Sequence, residues 1–309
     1  MTLIIRDFRP SDAEAAAASY SAGRPHLMVT PAAVRHQVAS AAPEQHYRLP
    51  VGELDGAVVG SGRVGVHASS GAEGQGFANL SVLPAARGKG VATALLAVAE
   101  EHLAGHGATR IRAWVDDEPT AVAFAEKHGF ERGRCAHFAH LDLTAPLRPV
   151  PELPAGVELR TAADYLDDPR PLHLVDVEGS QDEPGDLDLS DLGYEEWVAE
   201  VWERPDLDRE LTTVVVADGR AVAFSAVHSD GGTRYWSAFT TASAGYRGRG
   251  LAKLAKTDSL HRARARGHTD AYTNNDATNA PMLAINDWLG YRRCASEWVY
   301  LKQLRAEQL

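Results

Sequence analysis

Two short segments of this chain carry residues suited to gripping a phosphate. Arg87-Gly88-Lys89-Gly90-Val91-Ala92 recurs 160 residues later as Arg247-Gly248-Arg249-Gly250-Leu251-Ala252. Each follows an apolar, strand-like run and opens a helical pattern. In that setting the glycines let the backbone approach an anion closely. The first-turn N–H groups and the positive end of the helix dipole would face it. Arg87, Lys89, Arg247 and Arg249 add charge. Neither segment ends in Gly-Lys-Ser/Thr, so neither is a P-loop, and no Gly-x-Gly-x-x-Gly fingerprint is present there. One Arg-x-x-Gly-x-Ala is a weak signal. Two copies, followed about 40 residues on by Gly129-Phe130 and Gly290-Tyr291, are a specific one.

Other chemistry-bearing patterns are weaker. His102 and His106 have the spacing of a metal pair on a helix, with no third ligand in the pattern. Cys135-x-His137-x-x-His140 lacks a fourth ligand, so no metal site is expected. No Ser-His-Asp or Cys-His nucleophile pattern stands out. Cys135 and Cys294 fall at corresponding places, which reads as a small core residue kept in each copy. The acidic run Asp182-Glu183-Pro184-Gly185-Asp186-Leu187-Asp188 reads as a solvated connection, or as a lip that attracts a cationic substrate.

Self-similarity at half the chain length implies two related domains, and 309 residues fit that number. Pro146, Pro149, Pro151 and Pro154 mark a semi-rigid, extended linker. The expected domains are therefore 1–147 and 155–309, joined by 148–154. Strand signals fall at about 46–54, 57–67 and 76–83, and again at about 211–218, 220–229 and 233–242. Ser11 or Asp12 can cap an Ala-rich helix. The helix opening near Gly88 presents Val91, Leu95 and Val98 on one face, and its counterpart presents Leu251, Leu254 and Ala255. Gly107 and Gly267 would end them. Strands and helices around one mixed sheet in each half give an α+β (α/β) class. The net charge of -11 argues against a nucleic-acid footprint. No apolar run approaches a membrane span, and the N-terminus is charged too early for a signal peptide. A cytoplasmic protein is expected.

These features resemble the GNAT superfamily of acetyl-CoA-dependent N-acetyltransferases, whose signature is Gln/Arg-x-x-Gly-x-Gly/Ala at a helix start. A second family signature, an Asn-containing helix ending in Gly-Phe, is similar to Asn279 through Tyr291 and less so to Pro119 through Phe130. The likeness covers the chain as two tandem copies. It implies two acyl-CoA N-acyltransferase domains, acetyl-CoA as co-substrate and no metal. It implies that Leu80, Ser81 and Val82, or Thr240, Thr241 and Ala242, pair with the pantetheine arm. Amides of Arg87, Gly88, Lys89, Gly90, Val91 and Ala92, or of Arg247, Gly248, Arg249, Gly250, Leu251 and Ala252, would hold the pyrophosphate. Asn279 would touch the pantetheine or thiol end, where the first half has Glu118.

The family often places a Tyr four residues before the Gly of Gly-Phe, as acid toward the departing thiolate. Ala125 and Asn286 stand there instead. Asn286 can donate a hydrogen bond to sulfur, so the second half is the expected site of turnover. Acylating an amine needs a neutral nitrogen, hence a proton acceptor, and backbone N–H groups at the parted strands would polarise the thioester carbonyl. The strand at 234–241 carries no carboxylate. Glu178, His228, Tyr235 and His173 are the remaining candidates. The implied activity is acetylation of a small-molecule amine by direct transfer. The alternatives are acetylation of a peptide or protein and a catalytically silent acyl-CoA-binding module. A monomer or homodimer without nucleic-acid or membrane partners is expected.

Overall fold

The computed structural model describes residues 1–67, 74–181 and 193–304. The acidic run 182–188 lies outside them. In chain order the elements are β1 (Leu3–Asp7), α1 (Ala13–Ser21), α2 (Pro31–Ser40), β2 (Pro50–Leu54), β3 (Ala57–Val66), β4 (Gln75–Val82), α3 (Val91–Gly105), β5 (Arg110–Asp116), α4 (Pro119–Lys127) and β6 (Glu131–Asp142). The second half follows with β7 (Val157–Thr161), α5 (Arg170–Ser180), α6 (Tyr194–Trp197), β8 (Thr213–Ala217), β9 (Arg220–Ser229), β10 (Arg234–Ala242), α7 (Leu251–Ala265), β11 (Asp270–Asp276), α8 (Ala280–Leu289) and β12 (Arg292–Gln303). No helix among the described residues is long and apolar enough to cross a membrane.

Two compact units result. One comprises Met1–Ala136 with Ser296–Leu309, and the other comprises His137–Ala295. The proline-rich segment 148–154 thus lies inside the second unit. It is docked there: Arg148 Nε donates to the Trp288 carbonyl at 3.2 Å, and the Arg148 carbonyl meets His261 Nε2 at 2.8 Å. The first unit takes its last strand from the far end of the chain. Glu297 through Gln303 of β12 pair antiparallel with Asp116 through Arg110 of β5. The sheet there runs β1-β2-β3-β4-β5-β12. In the second unit the order is β6-β11-β10-β9-β8-β7, with β6 contributing from His137 onward.

In each unit one helix packs on the sheet for a plain reason. Val91, Leu95, Leu96, Ala99 and Leu103 form the buried stripe of α3, at helical spacing. Of these, Leu96, Ala99 and Leu103 close over Val64, Ala78, Ile111 and Ala113. Leu251, Leu254, Ala255, Leu260 and Ala263 do the same for α7. Val98, expected on the buried face, is half-buried. Asp12 precedes α1 but does not cap it through its side chain. Its carboxylate instead takes the Arg9 N–H at 2.7 Å and Arg6 at 2.7 Å. Cys135 is half-buried, whereas Cys294 is exposed, so the second cysteine is not a core residue.

Candidate active site

The central parallel strand pair parts in both units. In the first, β4 and β5 pair only from Gln75↔Arg110 to Phe77↔Arg112. In the second, β10 and β11 pair from Arg234↔Asp270 to Ser237↔Thr273. Past those points each pair opens onto a cavity, of about 590 Å³ in the first unit and about 740 Å³ in the second.

The glycine loops form the cavity mouths. Gly88 and Gly90 have φ of 75° and 84°, and Gly248 and Gly250 have 73° and 77°. Only glycine adopts this left-handed backbone without strain. A Cβ at any of the four would meet no atom within 4 Å, so the inner side of each loop is open space. The first intrahelical bonds run from Ala94 N–H to the Gly90 carbonyl and from Leu254 N–H to the Gly250 carbonyl. The N–H groups before them are those a helix start leaves for an anion. The space, the open amides and the glycines fit a pyrophosphate.

Of the expected cofactor residues, Leu80, Ser81, Val82, Arg87, Gly88, Gly90, Val91 and Ala92 line the first cavity. Thr240, Thr241, Ala242, Arg247, Gly248, Gly250, Leu251, Ala252 and Asn279 line the second. Lys89 and Arg249 are not among the lining residues. The Arg249 guanidinium donates to the Gly245 carbonyl at 3.1 Å and stacks over the Tyr246 ring. Arg247 is a tether: it donates to the carbonyls of Ala242 and Glu178, each at 3.0 Å. Asn279 caps α8, its Oδ1 accepting the Met282 N–H at 3.2 Å. Glu118, in the same role at α4, makes no side-chain cap and pairs with Arg87 at 3.7 Å.

The expected catalytic side chains are placed differently from one another. Asn286 is buried behind the cavity wall, with Nδ2 donating to Asn275 Oδ1 at 2.6 Å. Glu178 belongs to the phosphate-loop side, because its Oε1 accepts the Ala244 N–H at 3.1 Å. Tyr235 is fully buried in the core, bonded to Ser259 Oγ at 2.9 Å, and burial pushes its hydroxyl up to about 12. It lies outside the cavity lining and keeps its proton, which does not suit a base. His228 sits on β9, and burial with nearby Arg204 pulls its imidazole down to about 4. His173 packs against the rings of Tyr194 and Trp197.

Two groups that sequence reasoning missed stand out. Lys256 lines the second cavity while being fully buried, and its Nζ donates to Asn286 Oδ1 at 2.7 Å. Burial pulls its amine down to about 7. The available signal was the repeat itself, since 160 residues earlier stands Leu96. The other is Glu297, which faces Asp116 across β12 and β5. Burial and Asp116 push its carboxyl up to about 7, against the pull of Arg24, Arg63 and Arg112. Its sequence position, far from the first half, hid it. Around it, Arg63 stacks over the Tyr20 ring at 4.1 Å, and Arg24 bonds Ser81 and pairs with Asp116.

The backbone differs too. Between Ser237 and Phe239 the β9–β10 register slips, leaving Ala238 as an extra residue at the parting point. Such a bulge frees backbone groups from the ladder. The β3–β4 register runs unbroken from Gly60↔Val82 to Val66↔Gly76. There the Asn79 side chain fills the gap by accepting the Trp114 N–H at 2.8 Å.

Comparison with known proteins agrees with this layout. A model of the Acetyltransferase (GNAT) family matches residues 14–130. The mycothiol acetyltransferase of Nocardioides sp. is 30% identical over 232 residues, 69% of this chain and 75% of that one. The mycothiol acetyltransferase of Nocardia farcinica is 30% identical over 223 residues, 70% of each. Among solved structures, a tandem GNAT protein from the clavulanic acid biosynthesis pathway superposes with a TM-score of 0.75 at 21% identity, covering 98% of this chain and 99% of that one. A GCN5-related N-acetyltransferase from Sphaerobacter thermophilus gives 0.70 at 21%, covering 98% and 96%. These two likenesses concern the fold.

Proposed function

The chain belongs to the GNAT acetyltransferase family, and on that premise we propose that it transfers the acetyl group of acetyl-CoA directly to a small-molecule amine, with turnover in the second cleft. The observation that carries this is the bulge at Ala238, set where β10 and β11 part. Its freed backbone N–H is the donor for the thioester carbonyl, and fixed dipoles at such a point are worth most in a water-poor cleft. The amides from Arg247 to Ala252 hold the pyrophosphate, with Arg247 and Glu178 fixing the loop. The edge of β10 at Thr240, Thr241 and Ala242 receives the pantetheine arm, and Asn279, whose Oδ1 caps α8, offers that arm the N–H donors of its Nδ2. Asn286 acts through Lys256. The proton of the amine passes to water, because β10 bears no carboxylate and neither Asp270 nor Asp276 of β11 is among the residues that line this cavity. The relatives are named mycothiol acetyltransferases, so an amine of the mycothiol type heads the acceptors to try.

Thiol release from acetyl-CoA, measured against a panel of amines and of peptides with a free N-terminus or lysine, tests the proposal. A small amine should be turned over, and Gly250→Glu should abolish it. Acetyl-CoA binding without thiol release from any acceptor would make the chain an acyl-CoA-binding module instead.

A second reading puts turnover in the first unit, and Glu297 favours it. A carboxyl near 7, beside Asp116 and at the parted strands, is poised as a general base. Under that reading Glu297→Gln removes a limb near pH 7 from the rate profile. Under the first it leaves the profile unchanged.

A further inference from the structure

Where the second unit buries polar groups, the first has hydrocarbon. Lys256, Thr273, Asn286 and Tyr291 stand at the repeat positions of Leu96, Ala113, Ala125 and Phe130. Those four pack together in the core of the first unit. The repeat therefore folds without polar side chains at these places. In the second unit the set is costly. Lys256 is 0% exposed, and a buried ammonium without a carboxylate partner is strongly disfavoured. Among the described residues its Nζ donates to Asn286 at 2.7 Å and to Thr273 Oγ1 at 3.5 Å, and both acceptors are neutral. The Tyr291 ring lies 5.1 Å away, and its buried hydroxyl has no hydrogen-bond partner among the described residues.

The groups around Lys256 do not account for it. Asn286 comes from α8 and Thr273 from β11, and both are neutral. Tyr291 follows α8, and burial raises its hydroxyl well above its usual value. From β10 come Ser237 and the protonated Tyr235. On its own helix, Asp258 is taken by Thr213 of β8 and by Arg262, and Lys253 lies over Trp288. Burial alone pulls the Lys256 amine down, and no charge assists. A buried, perturbed amine on a cavity wall marks a functional position.

Its place in the cleft says which function. Lys256 lies five residues along α7 from Leu251, about 7 Å at the helical rise. That puts it inward of the glycine loop. Its Nζ reaches Thr273, the last residue of β11 before the strands part, and it shares the cavity with Ser237 and Ala238. A thioester whose carbonyl met the bulge would set its sulfur among these side chains.

We propose that Lys256 gives its proton to the sulfur of CoA as the acyl group departs. This rests on the reading that the second cleft takes acetyl-CoA. The amine nitrogen bonds to the carbonyl carbon, and the C–S bond breaks with its electron pair going to sulfur. One Lys256 N–H proton completes the thiol. The neutral amine left on Lys256 then regains a proton from solvent, which balances the one released by the acceptor. A donor titrating near ambient pH can do both halves of this cycle.

The chain has five lysines, so lysine Cε-labelled carbon NMR on the full chain resolves them. Lys256 is assigned by the signal lost in Lys256→Met. Free Lys256 should titrate near 7, and the exposed lysines near their usual value of about 10.4. CoA should raise the Lys256 midpoint by about one unit or more, while CoA lacking its sulfur should not. At pH 8, Lys256→Met should bind CoA about tenfold more weakly than the parent and bind the sulfur-free analogue equally well. Lys256→Arg should restore the preference for sulfur without any titration near 7. If Lys256→Met does not fold, the pair Lys256→Leu with Asn286→Ala reproduces the first unit's hydrocarbon and serves in its place. Equal response to both ligands, in a protein whose CoA binding Gly250→Glu weakens, overturns the role of Lys256 and leaves the acetyl-CoA reading intact. No response of Lys256 to either ligand, together with CoA binding indifferent to Gly250→Glu, overturns both.

Discussion

The two clefts share their mouths and differ at their floors. Both have a pair of left-handed glycines ahead of a long helix. Inside, the second has a bulged strand and a buried Lys–Asn pair. The first has an unbroken strand, an apolar floor of Leu96, Ala113 and Ala125, and its charges on the opposite sheet face, where Glu297 and Asp116 meet Arg24 and Arg63. Phosphate binding asks only for backbone, so a repeat keeps it at little cost. Proton transfer asks for costly buried side chains, and each unit keeps a different set. The contrast teaches that the loop reports what is bound, and the floor reports what is done with it.

The hardest blow to that contrast comes from matched loop substitutions. Gly250→Glu puts a side chain where only glycine is unstrained and a carboxylate where the pyrophosphate would lie. Turnover should fall at least about 100-fold, the loss of about 2.7 kcal/mol or more of binding and positioning. Gly90→Glu should leave turnover within a few-fold. The strain itself costs about 1–2 kcal/mol in either case, so circular dichroism must accompany the rates. If Gly90→Glu alone eliminates activity in a folded protein, the clefts exchange roles.

Asn286→Ala sharpens the assignment of the floor. It removes the acceptor of a hydrogen bond from a charged donor, about 1.5–3 kcal/mol, so a ten- to hundred-fold loss in rate is expected. The Lys256 midpoint should drop by about a unit or more, because the charged form loses its partner. A rate identical to the parent would confine Asn286 to packing in α8. Arg247→Ala compares the loop tethers. With two carbonyls released, acetyl-CoA affinity measured by calorimetry should weaken about tenfold, and Arg87→Ala should weaken it less, since among the described residues Arg87 has the longer pair with Glu118 at 3.7 Å.

The smallest effect on turnover is expected at Glu297, where the readout is stability. The Glu297 carboxyl is raised from its unfolded value to about 7. The native state therefore binds the proton more tightly, and the stabilisation is full below about pH 4.5 and is lost as pH rises to about 7. Glu297→Gln should remove that loss, gaining up to about 3 kcal/mol at pH 8 and nothing at pH 4, or up to about 6–12 °C in melting temperature for a unit of this size. Equal melting shifts at both pH values would show that the carboxyl is not raised.

Much of this was legible in the chain itself. The glycine loops, the strands at 57–67 and 220–229 and the helix faces followed from backbone chemistry and periodicity, which are local. The rest depended on distance. Nothing near Lys256 in sequence explains its burial, because its partners Thr273 and Asn286 lie on other elements. Glu297 sits 181 residues from Asp116, its cross-strand neighbour. Tyr235 and His228 alternate on strands as candidates should, yet tertiary packing sealed the first and neutralised the second. Glu178 was noticed as a carboxylate, but the chain could not show that Ala244 would claim it.

The strand exchange described above sets a timetable for synthesis. The first unit needs Ser296 to Gln303 beside β5. At 5–20 residues per second, the ribosome reaches that strand about 8–33 s after it finishes Ala136. For that interval the edge of β5 is bare, and an unpaired edge recruits whatever strand is near. The nascent chain therefore spends its riskiest seconds waiting for its own last sentence, and a premature stop anywhere in the second half would orphan the first.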